Sequence, residues 1–219
     1  MASALLRQAI KVASSAVQRC RKVAAKHYFG AILGSINGPY QIDLGVEIRN
    51  PHKVKVGSNA VIKRGTILNG RSTKERFGLT FGPETYIKEY CYLDSYGGFI
   101  EISGPCAIGQ FCTFHGGGGL RIGRFVMFGA HCYVIASNHV FANLELPYIL
   151  QGDRAKGITI EDNVWVGGGS ILLDGITIGR NSVIGAGAIV TKDVPANSIY
   201  TDRAPRLIES ALHRRDRAR

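Results

Sequence analysis

The chain has 219 residues, 45% of them hydrophobic and 20% charged, with 28 glycines and a formal net charge of +11. That length can bury a core without disulfide or metal staples, and no run of eighteen or more apolar residues is present to cross a bilayer. Residues 1–30 carry six Lys/Arg and no acid, and 203–219 carry six Arg against Glu209 and Asp216, so the body between them holds only 11 − 10 = +1. Nucleic-acid binding needs a basic face on the folded body, so that class is not expected.

The start lacks the short apolar core and small-residue cleavage site of a signal peptide, which predicts a cytoplasmic protein. Residues 2–30 read as a helix: Leu5/Leu6, Ala9/Ile10, Val12/Ala13, Ala16/Val17, Cys20, Val23/Ala24 and His27/Tyr28 recur at helical spacing, with Arg7, Lys11, Lys22 and Lys26 opposite. Two roles are open to it. It can cap the exposed end of a sheet, or it can rest on the inner face of an anionic membrane as a basic amphipathic helix. Its Ala-rich apolar face favours the cap. Gly30 to Pro39 is rich in turn residues and reads as a linker, giving a first segment of 1–40.

From there a period of six takes over, starting near Val46 and continuing through Val56, Ile62 and Leu68. It breaks at the polar stretch 70–78, resumes at Phe81, Ile87 and Leu93, slips near Tyr96–Gly98, and returns at Ile102, Ile108 and Phe114. His115 and four glycines add two residues of phase before Ile122, Phe128 and Val134. The residue four beyond an inward position is small: Cys91, Cys106, Cys112 and Cys132 occupy that slot as Ser170, Ser182 and Ala188 do later. No C-x-x-C is present. These cysteines read as packing residues.

After His139 the period is suspended for twenty residues, so a loop over about 140–159 is extruded. Its Phe141, Leu144, Leu146, Tyr148 and Ile149 are too apolar for a disordered segment. The loop should pack on the body, on a neighbouring subunit or on a ligand. The repeat is cleanest beyond it: Ile160, Val166, Leu172, Ile178, Ile184 and Val190, with Gly167, Gly179 and Gly185 next in line. An amphipathic helix repeats at 3.6 and a half-buried strand at two. A fixed hexapeptide instead specifies a parallel β-helix, an all-β solenoid of short strands and tight turns, here over 41–195. Pro195 ends it, and 196–219 form a C-terminal extension with a short helix.

The Ile-Gly/Val-Gly hexapeptides, the run DNVWVG (162–167) and the ending VIGAGAIVTKDVP (183–195) resemble the hexapeptide-repeat acyltransferases. Asn138-His139, Pro147, Gln151-Gly152 and Trp165, in that order, are similar to the saccharide O-acetyltransferases and to the xenobiotic branch that acetylates antibiotics. The resemblance implies a left-handed β-helix, an exception to the usual right-handed crossover. It implies a homotrimer with acetyl-CoA sites between subunits and a saccharide hydroxyl as acceptor. It implies His139 as general base, the role for which an imidazole is suited near neutral pH, with Asn138 beside it. The family often closes with Gly-Asn-Pro-Ala; this chain reads TDRAPRL (201–207) instead.

A base of this kind wants an acceptor on its second ring nitrogen. Asp94, Glu145, Asp153 and a backbone carbonyl are the candidates, and Asp94 is the one chosen. Gly168 supplies an unhindered backbone N–H for the oxyanion. The pantetheine arm would lie by Gly168 and Ala186, Trp165 would wall it or fill a subunit face, and Lys192 and Arg206 would meet phosphates. Antibiotic O-acetylation and amino-sugar N-acetylation are the alternatives within the family. A zinc enzyme like the γ-class carbonic anhydrases, built on His115, His131 and His139, lacks the close His pair, so no metal is expected. A non-catalytic scaffold is the remaining alternative.

Overall fold

The computed structural model describes residues 2–202. Met1 and 203–219 lie outside the described residues, and with them the expected C-terminal helix and Arg206. One helix, α1 (Ala2–Ile32), precedes a parallel β-solenoid with three faces. The first and third faces each hold seven strands and the second holds eight. The solenoid is the left-handed β-helix expected of the repeat.

Each hexapeptide lays down one strand of two or three residues and one turn. Three hexapeptides make a coil, so Ile160 pairs with Ile178 eighteen residues on. The inward column of the first face runs Val56, Phe81, Ile102, Ile122, Ile160, Ile178. The second face stacks Ile42, Ile62, Ile87, Ile108, Phe128, Val166, Ile184. The third stacks Ile48, Leu68, Leu93, Phe114, Val134, Leu172, Val190. Apart from Ile48, which packs against the core from its edge, all are buried. Branched side chains suit these pleated positions, and each is covered above and below by its counterpart about 4.8 Å away.

The slot four residues beyond an inward position is buried at Cys91, Cys106, Cys112, Cys132, Ser170, Ser182 and Ala188. On one corner of the prism it also donates hydrogen bonds. Cys91 Sγ lies 3.1 Å from Gly109 O, Cys112 Sγ 3.2 Å from Gly129 O, and Cys132 Sγ 3.3 Å from Gly167 O. Ser170 Oγ then donates to Gly185 O at 3.0 Å. Each thiol or hydroxyl therefore ties one coil to the next at a turn whose carbonyl points inward, where an unpaired acceptor would be costly. All five cysteines are free, and burial pushes the Cys106 thiol up to about 12.

The solenoid begins earlier than the hexapeptide spacing indicates. Ser35–Ile36 pairs with Lys55–Val56, and Tyr40–Ile42 pairs with Ala60–Ile62. Gly34, Gly38 and Pro39 hide this first coil in the sequence by reading as a linker. Helix α1 closes its open end: Ala25 and Phe29 are buried in the common core, and Tyr40 Oη donates to Lys26 O at 2.6 Å.

The loop leaves the corner between the third and first faces. Its root is a two-residue antiparallel pair, Asn138 opposite Arg154 and His139 opposite Asp153. Gln151 holds its shape: Nε2 donates to Asn143 O and Leu146 O, and Oε1 accepts from Asn143 N. Residues 141–150 are all exposed, Leu144 and Ile149 by 84% and 85%. The loop's apolar side chains therefore do not pack on the body of their own chain.

Because each inward side chain is enclosed by two copies of its column, Ile108→Ala should cost about 2–5 kcal/mol of stability. Thr177→Ala, an outward position on the first face, should change it by about 0.5 kcal/mol or less. Denaturant unfolding of both variants checks this. Equal effects would contradict the stacked-column account.

Candidate functional site

His139 stands at the loop root, where its Nδ1 lies 2.6 Å from Asp153 Oδ1. The pairing follows from the local backbone, since the antiparallel register sets the two residues opposite each other. Val140 N donates to Gly152 O at 3.0 Å and closes the ribbon beyond them. Asp174 anchors the returning strand: its carboxylate accepts from Lys156 N and Gly157 N at 2.8–3.0 Å. A cavity of about 270 Å³ opens here, lined by Asn138, His139, Val140, Phe141, Arg154, Lys156 and Asp174 among others.

The imidazole is 72% exposed and the Asp153 carboxylate 48%. With Asp153 accepting from Nδ1–H, the neutral ring carries its lone pair on Nε2. No side chain among the described residues hydrogen-bonds Nε2, so that nitrogen is open toward a proton donor.

Asp94 is not the partner of His139. It lies on the third face, only 1% exposed, and is saturated there. Oδ2 accepts from Asn69 Nδ2 (3.0 Å) and Tyr92 Oη (2.9 Å), and Oδ1 from Tyr96 N (2.7 Å) and Arg71 Nε (3.2 Å). Strands of the third face point only their middle residue inward, so their flanking residues face outward and build this polar cluster. His115 sits beside Asp94 in register and stacks on Tyr96 at 5.5 Å. Burial holds the His115 pKa below the usual imidazole value, against the pull of Asp94. The third candidate metal ligand, His131, stacks on Phe111 at 5.0 Å. The three histidines thus have separate surroundings, and no group of three or more His, Cys, Asp or Glu among the described residues is placed to hold a metal.

The remaining candidates fall elsewhere on the prism. Gly168 and Ala186 share the corner between the second and third faces, where Gly187 N donates to Gly168 O. That corner changes character along its length. Its left-handed turn position holds Gly45 and Gly65 in the first coils, Tyr90, Phe111 and His131 in the middle ones, and Gly169 and Gly187 in the last. The rings stack 5.0–5.4 Å apart, whereas a Cβ at Gly187 would meet nothing within 4 Å. The corner is therefore ridged in its middle coils and bare in the last ones. Trp165 lies outward on the second face between Met127 and Val183 and is 50% exposed. Lys192 is exposed where the last coil leaves the third face.

One chain therefore brings His139, Asn138 and Asp153 together, and separately Gly168 and Ala186, but not the two groups. Asp153 was one of four candidate acceptors in the sequence. What selects it is the ribbon register, since it faces His139 across the loop. Arg154, Lys156 and Asp174, which complete the cavity, carry no motif.

Residues 157–192 match the family described as bacterial transferase hexapeptide (six repeats). A putative acetyltransferase of Schizosaccharomyces pombe is 43% identical over 40% of this chain and 42% of its own length. A galactoside O-acetyltransferase of Lactococcus lactis is 41% identical over 36% of this chain and 37% of its own. The matched region thus spans about two-fifths of these relatives. Among solved structures, AntD, an N-acyltransferase from Bacillus cereus in complex with dTDP and 3-hydroxybutyryl-CoA, is similar with a TM-score of 0.53 at 19% identity, over 81% of this chain and 82% of that one. That likeness is one of fold. Residues 157–192 thus carry the repeat of that transferase family, and the solenoid around them has the architecture such a repeat specifies.

Proposed function

We propose that this protein is an acetyl-CoA-dependent O-acetyltransferase acting on a saccharide hydroxyl, with His139 as general base. The observation that carries the reading is the 2.6 Å contact between His139 Nδ1 and Asp153 Oδ1 at the root of the extruded loop. Asp153 fixes the tautomer and stabilises the imidazolium that forms. Nε2 removes the acceptor's hydroxyl proton as the oxygen attacks the acetyl carbonyl, and returns that proton to the departing thiolate. No covalent acyl-protein step is needed.

The bare corner fits the donor. Acetyl-CoA supplies the acetyl group as a thioester. Gly168, Gly169, Ala186 and Gly187 leave a low surface along which an extended arm can lie, and Trp165 flanks it with an exposed apolar ring. Gly168 N is among the turn N–H groups with no backbone acceptor among the described residues, as are Ala130 N and Ala186 N. Of the three residues, only Gly168 has no Cβ beside that donor, which suits it to the oxyanion. Lys192, and Arg206 beyond the described residues, are the cations for the phosphates.

His139 and Gly168 occupy different corners, so a complete site needs two copies of the chain. This supports a homotrimer in which the loop of one subunit reaches the bare corner of the next. The exposed Leu144, Ile149 and Leu150 are suited to being covered in that contact.

Amino-sugar N-acetylation is the second reading, since AntD is an N-acyltransferase and a primary amine would use the same base. Purified protein with acetyl-CoA and a panel of oligosaccharides, amino sugars and antibiotics should release CoA thiol and yield a product heavier by one acetyl group. Hydroxylamine should remove that group from an ester and leave an amide intact, which separates O- from N-transfer. His139→Ala should lower kcat by about 10²–10⁴-fold, with the oligomer retained on size-exclusion chromatography. Unchanged thiol release would reject the assignment.

Asp153→Asn tests the pairing separately. It should lower kcat by about tenfold or more while leaving KM for acetyl-CoA near the parent value. A change confined to KM would remove Asp153 from the role of orienting the base.

A further inference from the structure

A second cavity, of about 550 Å³, lies at the opposite end of the prism from the last coils, between α1 and the first two coils. Its lining includes Arg21, Lys22, Lys63, Arg64, Asp43 and Leu44. Four cations therefore face one carboxylate. Asp43 is already engaged, with Lys63 Nζ at 3.5 Å and Gln41 Nε2 donating to it at 3.2 Å. Arg21, Lys22 and Arg64 have no ion-pair partner among the described residues, and all three are exposed. Helix geometry sets this up. Ala25 and Phe29 form the stripe that caps the core, and Arg21 continues that stripe one turn earlier, where the helix overhangs the edge of the coil.

We propose that this cleft is a phosphate-binding site for the headgroups of an anionic bilayer, and that it seats the helix-bearing end of the prism on a membrane surface. The cations explain a phosphate. The apolar groups beside them select the bilayer over a free phosphate: Val17, Val23 and Tyr28 on α1 and Leu44 at the cleft are each between 43% and 58% exposed. Cations interleaved with exposed apolar side chains match a headgroup region, where both find partners. Arg19 and Lys26, also exposed on α1, extend the basic surface beyond the cleft. No helix among the described residues is long and apolar enough to cross a membrane, so the association is one of surface contact. One helix then both caps the core, through Ala25 and Phe29, and carries the membrane contact.

Co-sedimentation of the full chain tests this with two kinds of vesicle. One is phosphatidylcholine alone, and the other is equal parts phosphatidylcholine and phosphatidylglycerol. The protein should pellet with the anionic vesicles at low salt, be released at high salt, and stay in solution with the neutral ones. The double variant R21E/K22E on the helix side and R64E on the coil side should each weaken binding, the double by about tenfold or more. R124E, on a corner outside the cleft, should bind like the parent, and circular dichroism should show all four proteins folded. Three results would each overturn the proposal: no pelleting with anionic vesicles, an equal loss in R124E, or saturable binding of inorganic phosphate or duplex DNA in the cleft without vesicle binding.

Discussion

The stacking of like on like inside the prism is the constraint from which the rest follows. Each inward residue rests on its own counterpart one coil away, so the core admits only changes that every neighbouring coil can accommodate. Ile108, for example, is enclosed by Ile87 and Phe128. A repeat so regular leaves little freedom inside. Variation within the solenoid is therefore confined to outward positions, corners and inserted loops, and the chemically distinctive features of the coils lie in those three places.

The corner between the second and third faces shows how one scaffold position is used in two ways. The same left-handed turn site carries Gly45 and Gly65, then Tyr90, Phe111 and His131, then Gly169 and Gly187. A bulky residue at positive φ is costly in isolation. Here face-to-face stacking at 5.0–5.4 Å offsets part of that cost, typically by about 0.5–1.5 kcal/mol per pair. Where the rings stop, the glycines leave the backbone bare. The opposite use of a turn is seen in the Asn163–Asn181–Asn197 ladder, whose side-chain amides hydrogen-bond to one another at 2.9–3.0 Å.

Much of the fold was legible because a period of six is local: Ile160 to Val190 can be counted without knowing what lies across the coil. The first coil was not, because Gly34, Gly38 and Pro39 carry the same signature in a linker as in tight solenoid turns. His139 was legible from its position before the interruption. Its partner was not, since periodicity fixes where the loop leaves but not which residue returns opposite His139. Asp94 is an acid within the repeat, chosen as the partner of His139 from sequence alone. Its engagement by Asn69 and Arg71 depends on contacts between coils more than twenty residues apart, to which sequence spacing is blind.

The rigidity of the core also determines what a single chain cannot do. A flexible domain could hinge to carry His139 toward Gly168. A prism whose faces are continuous seven- and eight-stranded sheets has no such hinge, and the two corners stay apart. On the proposed function, the missing approach must come from a second copy, and the loop at 140–152 is the one long irregular element beside His139 that extends from the prism. Its polar interior, closed by Gln151, preserves its shape, while its apolar side chains remain outside. That division suits a segment ordered before it meets its partner, which reduces the conformational entropy lost on assembly.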